Sequence, residues 1–211
     1  MQSWGVQSRF SVRDTALEPS KSGIVGMLCA ALGRGRSVPV SDLASLDMAV
    51  RVEREGRVSR DYHTAQGVGK ADGGPVRATD TVLSQRYYLA DADFLVGVAG
   101  EPGLLLRLAA ALQSPVWALS LGRKSFVPSE PVYVGLRDDT RLRDALVSHP
   151  WRPQWDGGRD PQIRYVWEVP YGQGEPRGDV PVSFASRTFS VRHVMVRSAP
   201  PGVAPREWEG A

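Results

Sequence analysis

The sequence predicts an α+β fold of ferredoxin-like order, and three observations carry that prediction. Two stretches, residues 19–33 (PSKSGIVGMLCAALG) and 101–112 (EPGLLLRLAAAL), combine helical apolar spacing with capping residues at their starts. Short β-type runs, 48–53 (MAVRVE) and 94–99 (FLVGVA), lie between them in the chain. The two runs are separated by a polar, Gly-rich excursion over 58–91, far longer than a turn. Helix, strand, arm, strand, helix is most of a βαββαβ unit.

Each element has a local reason. In residues 1–17 only Trp4 and Phe10 are large and apolar, so they read as a loop, with Arg9 and Arg13 bringing charge towards the first helix. Ser20 suits the N-cap, and Gly33 the left-handed C-cap. Gly23, Gly26 and Ala30 leave room for something to lie close against the helix. Residues 41–46 give one helical turn, and Glu55-Gly56 a turn after the first strand. The arm reads as two extended legs around a mobile tip, GVGKADGG at 67–74. After the second helix come a Gly-basic loop, LGRKSF at 121–126, and a closing strand, PVYVGL at 131–136. Residues 140–147 make a short helix capped by Asp139 or Thr140, and 151–158 are irregular. Strands follow at 163–169 and 187–196, and a frayed Pro/Gly-rich tail runs from 200. A ferredoxin-like order also needs a central first strand, so the natural protein is expected to start some ten residues upstream, with Met1 internal.

Composition excludes several classes. The formal charge is only +3, and of 26 basic residues just Lys21, Lys70 and Lys124 are lysines. Arginine forks suit phosphates and stack on bases, although a GC-rich genome produces the same bias. A single cysteine, Cys29, allows no intrachain disulfide and points to a reduced, cytoplasmic setting. No apolar run approaches a membrane-spanning length. The three histidines, His63, His149 and His193, lack ligand spacing, so neither a metal nor a cofactor is expected. There is no GxSxG elbow, and Lys21-Ser22 lacks the glycines of a phosphate-binding loop, so ATP hydrolysis is not expected.

For RNA binding the inventory is better. Single strands are held by cations that track the backbone and by aromatic faces on which bases stack. The arm supplies Arg60, Tyr62, His63, Arg86, Tyr87 and Tyr88; the basic loop supplies Arg123, Lys124, Ser125 and Phe126. The start of the first helix supplies Lys21 and Ser22, where free N–H groups favour an anion. Tyr62, His63 and Lys124 are also the residue types of a metal-free ribonuclease centre. Adjacent residues of a strand face opposite ways, however, which weighs against convergence of Tyr62 and His63.

Six blocks then resemble one family in the right order: MQSWG at 1–5, PSKSGIVGMLCAALG at 19–33, RDYHT at 60–64, LSQRYYLADADF at 83–94, LGRKSFVPSEPVY at 121–133 and SRTFSVRHV at 186–194. The chain resembles CRISPR-associated protein 5 in its type I-E form, the CasD subunits of the Cascade complex. The resemblance implies a repeat-associated RAMP fold. Its parts would be an RNA-recognition-like domain over 1–57 and 92–137, a thumb-like arm over 58–91 and a small β-rich C-terminal domain over 138–211. It implies a non-catalytic subunit that grips the 5′ handle of the mature crRNA and caps that end of the complex. The implied partners are the large subunit CasA, the backbone subunit CasC and, through the assembly, target DNA, with no membrane. In type I-E systems CasE cuts the precursor; in type I-C the corresponding member is itself the endoribonuclease, using Tyr, Lys and His. That is the alternative, with Tyr62, His63 and Lys124 as its residues.

Overall fold

The computed structural model describes residues 1–5, 11–69, 74, 77–151 and 161–208. Its elements are β1 (Val12–Arg13), α1 (Lys21–Leu32), α2 (Ser41–Ala44), β2 (Asp47–Arg54), β3 (Arg57–Gln66), β4 (Thr81–Ala90), β5 (Asp93–Ala99), α3 (Pro102–Gln113), α4 (Leu142–Ser148), β6 (Ile163–Val169), β7 (Glu175–Ser183) and β8 (Thr188–Ala199). They build a five-stranded sheet of order β5-β2-β6-β8-β7 and a three-stranded sheet of order β1-β4-β3.

Both long helices begin on the caps that their sequences specify. Ser20 Oγ accepts from the Gly23 N–H at 3.2 Å, and the Glu101 carboxylate accepts from Gly103 and Leu104 N–H at 2.8 and 2.6 Å. A serine cap such as Ser20 contributes about 1 kcal/mol. α1 and α3 cover one face of the large sheet, where Ile24, Val25, Leu28, Leu104 and Leu108 pack with Met48, Val50, Val52, Val166 and Val194. Trp4 fills the space left open at Gly23 of α1, where a Cβ would lie 2.7 Å from its ring. The N-terminal segment is therefore part of the core and not only a loop feeding the helix.

The opposite face packs Ala49, Ile163, Tyr165 and Trp167 against Leu146 of α4 and Trp208. Trp208 stands edge-on to Trp167, with ring centroids 4.7 Å apart. This part of the tail is thus buried, which corrects the reading of everything beyond 200 as frayed. Arg51, fully buried in β2, fastens this layer. Its Nη1 donates to the Leu146 and His149 carbonyls at 2.6 and 2.7 Å, and its Nε to Glu53 at 2.6 Å. A buried guanidinium is tolerated when its donors are satisfied in this way.

Three further expectations are corrected. The C-terminal strands do not form a domain of their own over 138–211: β6 pairs with β2 from Ala49↔Trp167 to Val52↔Arg164, so one ladder crosses the expected boundary. β6 also occupies the centre of the sheet, the position that the sequence reading had left empty. Residues 131–136 are not a strand. β5 is the outer strand on that side, and a groove of about 540 Å³ lies between it, α1 and residues 128–134. With no ladder partner among the described residues, β-propensity at 131–136 has nothing to act on.

β7 was not expected, because Pro176, Gly178 and Pro181 disguise it. Prolines are tolerated there because β7 is an edge strand, paired among the described residues only with β8 and with register shifts on either side of Val180 and Pro181. α4 begins at Leu142 behind Arg141 with no side-chain cap, so neither Asp139 nor Thr140 caps it. The two legs of the arm are extended as expected: β3 and β4 pair antiparallel from Arg57↔Ala90 to Gln66↔Thr81. Arg9, Phe10, Lys70, most of the arm tip and most of 151–158 lie outside the described residues.

Candidate nucleic-acid interface

Strand alternation gives the arm two chemically different faces. Along β3, Arg60, Tyr62 and Thr64 share one face, and Asp61 and His63 the other. The register extends this across the hairpin: Arg60 lies beside Tyr87 and Tyr62 beside Gln85, whereas Asp61 lies beside Arg86 and His63 beside Ser84. β1 then adds a third strand in parallel, so Val12 joins the tyrosine face and Arg13 joins the face of Arg86. The first face is open and partly apolar, with Tyr62 63% exposed.

The second face gathers positive charge. The loop over 121–126 folds onto the base of the arm through a short chain of backbone bonds. Ser3 N–H donates to the Leu121 carbonyl at 3.0 Å, Leu121 N–H to Phe126 at 2.8 Å, and Phe126 N–H to Arg123 at 2.9 Å. Gly122 makes this approach possible. It has φ +89°, and a Cβ there would sit 1.8 Å from the Ser3 carbonyl oxygen. Phe126 is buried against Tyr88, ring centroids 5.7 Å apart, and the Arg123 guanidinium stands 5.5 Å from the Phe126 ring. Arg123 Nη2 donates to the Tyr87 carbonyl at 2.8 Å, which fixes it beside the hairpin.

Arg13, Arg86 and Arg123 are therefore brought together from three separate parts of the chain. Arg86 donates to Ser84 Oγ at 3.0 Å, and among the described residues none of the three forms an ion pair within 4 Å. Their mutual influence is visible at Arg123. Burial first, then the like charges of Arg86 and Arg13, pull its guanidinium below the ordinary value, with Asp61 opposing. A cationic cluster with one exposed carboxylate beside it is a seat for an anion.

The start of α1 is a different case, and here the sequence reading is corrected. An anion does sit there, but it belongs to the chain: Asp179 accepts from the Lys21 N–H at 2.8 Å. Lys21 is 5% exposed, and its ammonium meets Glu168 at 2.9 Å. Arg192 closes the network, contacting Asp179 at 2.7 Å and Glu168 at 3.0 Å. Ser22 Oγ lies 3.3 Å from the capping Ser20. Lys21 thus joins α1 to the network of β6, β7 and β8, Ser22 turns to the capping serine, and the pair presents no free phosphate seat. The cap signal and the dipole argument were sound, but the partner was 158 residues away and invisible to local pattern.

The remaining predicted residues separate. Arg86, Arg123 and His63 share the cationic face; Arg60, Tyr62 and Tyr87 share the other; Lys124 and Ser125 are exposed at the turn of the loop. His63 Nδ1 is buried without a hydrogen-bond partner. Sequence reasoning missed the role of Arg13, which becomes legible only through its pairing with β4. It also missed Asp61, which the alternation of β3 places with Arg86. Among the described residues no cluster of three or more His, Cys, Asp or Glu side chains is arranged to hold a metal, and no helix is long and apolar enough to cross a membrane.

Comparison with known proteins gives this geometry a family context. The family model Cas_Cas5d, described as CRISPR-associated protein (Cas_Cas5), matches residues 1–199. The Cascade subunit CasD of the CRISPR system of Escherichia coli (strain K12) is 31% identical over 163 residues, covering 71% of this chain and 72% of that protein. A solved structure described as a Cas protein superposes with a TM-score of 0.75 at 39% identity, over 98% of this chain and 94% of the other. A chain from a CRISPR RNA-guided surveillance complex superposes with a TM-score of 0.78 at 34% identity, over 99% and 92%. The structural neighbours share the α+β RAMP architecture.

Proposed function

The chain belongs to the Cas5 family of CRISPR-associated proteins, and from that premise we propose that it is a non-catalytic subunit of a type I-E Cascade complex, holding the 5′ handle of the mature crRNA. It caps that end of the assembly against the large subunit CasA and the backbone subunit CasC. In this role it supports RNA-guided recognition of target DNA in antiviral defence. Likeness to the CasD subunit and to a surveillance-complex chain supports this reading. The observation that carries it is the convergence of Arg13, Arg86 and Arg123 on one face of the arm.

The physics follows from that cluster. Handle phosphates approaching the cationic face release their counterions and neutralise the mutual repulsion of the three guanidinium groups. Tyr62, exposed on the opposite face, offers a surface on which a base can stack, worth about 1–3 kcal/mol. An arm with backbone contacts on one side and a stacking residue on the other wedges the RNA apart at its edge, beside the first spacer nucleotide. No bond is made or broken in these steps.

A second reading, a metal-independent endoribonuclease like the type I-C member, is favoured by the label of the matching family model. Against it stands the separation of Tyr62 and His63 on opposite faces of β3, with Lys124 on a different loop. General acid–base chemistry needs its groups within hydrogen-bond reach of one reacting site.

One experiment separates the readings. Incubated with repeat RNA, the chain should bind without cutting. Double replacement of Arg86 and Arg123 by Ala should weaken binding and flatten the plot of log K against log salt by about 1.4, or about 0.7 per phosphate lost. An unchanged slope refutes the binding site. Specific cleavage that disappears in His63→Ala establishes the nuclease instead.

A further inference from the structure

Asp61 is out of place on a surface meant for RNA. It is exposed, it lies directly across the ladder from Arg86, and its neighbours on that face are Arg13, Arg123 and His63. Its charge is felt at Arg123, where it opposes the two arginines. Yet no ion pair within 4 Å and no hydrogen bond engages its carboxylate among the described residues. Its neighbour His63 likewise has a buried Nδ1 with no partner. A carboxylate in that position repels any phosphate that comes to it. The parts of a ribonucleotide that it welcomes are hydrogen-bond donors, namely the ribose 2′-hydroxyl and the N–H groups on the edge of a base, and only the latter differ from base to base.

We propose that Asp61 is a selectivity residue of the cationic face, accepting a hydrogen bond from the exocyclic amino group of a base whose flanking phosphate rests on Arg13, Arg86 and Arg123. This rests on the reading of that face as the RNA seat. Phosphate contacts fix position and carry no sequence information, so the discriminating contact has to come from a group such as this one. The same carboxylate penalises polyanions that offer only phosphates, a repulsive element of the kind that specificity requires.

The test uses the full chain and three probes: the repeat-derived handle RNA, octacytidylate and octauridylate. Cytosine carries an exocyclic amino group and uracil does not. The unaltered chain should favour octacytidylate over octauridylate by about fivefold or more, the discrimination expected of one good base contact. Asp61→Asn should tighten octauridylate by about three- to tenfold, since one opposing charge near a phosphate is gone. Asp61→Ala, which unlike Asp61→Asn leaves no side-chain oxygen to accept from the amino group, should abolish the preference for cytosine. Asp61→Glu, which keeps the charge and the acceptor, should retain part of that preference.

Equal affinity of the unaltered chain for the two homopolymers overturns the inference, as does an unchanged ratio in Asp61→Ala. Parallel weakening of both probes overturns it too, because that marks a merely structural side chain. Failure to prefer the handle over either homopolymer is a separate result, and it strikes the functional reading itself.

Discussion

Replacing Gly122 by Ala tests how the cationic face is assembled without touching any charge. A Cβ at this position would lie 1.8 Å from the Ser3 carbonyl oxygen, whereas carbon–oxygen contacts normally settle at about 3.3–3.6 Å. The obstacle is backbone on both sides, so no side-chain rotation relieves it, and the loop has to retreat by about 1.5 Å. Retreat breaks the Ser3–Leu121 hydrogen bond, a loss of about 1 kcal/mol. Holding a non-glycine residue at φ +89° costs about 1–2 kcal/mol more. The sum, about 2–3 kcal/mol, corresponds to a fall in Tm of about 4–12 °C for a chain of this size. Thermal unfolding followed by circular dichroism reads the first effect. Handle-RNA affinity reads the second, because Arg123 leaves the Tyr87 carbonyl when the loop moves. A variant with unchanged Tm and unchanged affinity would refute the argument that this close approach positions Arg123.

Two further outcomes follow from the same structure. Lys21→Met should lower stability by about 1–3 kcal/mol, since Glu168 loses one of its two cationic partners, yet leave the salt dependence of RNA binding as it was; a flattened salt slope would restore Lys21 to the RNA surface. The Glu101 carboxyl is held below its ordinary value by the Gly103 and Leu104 N–H groups that it caps. Its contribution is therefore complete above the ordinary glutamate range and fades as pH falls through the lower folded-state value, so the Tm difference between the native chain and Glu101→Gln should be present at neutral pH and vanish in acid.

What the sequence revealed about the fold depended on how local each determinant is. The caps at Ser20 and Glu101, the hairpin legs and the strands 48–53, 94–99 and 163–169 are written in adjacent residues, and they are where the pattern put them. β7 is not: its prolines make sense only at an edge, and edges are a property of the finished sheet. The same limit shaped the site. Arg86 and Arg123 were visible as basic residues in suggestive loops, but their meeting with Arg13 required the parallel pairing of β1 with β4. Lys21 looked like a surface cation because nothing near it in the chain announces Asp179 or Glu168. Trp208 looked like part of a loose end because its partners, Tyr165 and Trp167, lie some 40 residues earlier.

The place of β6 in the middle of the large sheet has a consequence for synthesis. β2 ends at Arg54 and β6 starts at Ile163, so the neighbour on one side of β2 is translated 109 residues after it. At about 5–20 residues per second, that interval is roughly 5–20 s. Throughout it the nascent chain carries an apolar strand with an unsatisfied backbone flank, the form most prone to mispairing with other chains. Yield in a cell should accordingly depend on chaperone capacity and growth temperature more than on the stability of the finished molecule.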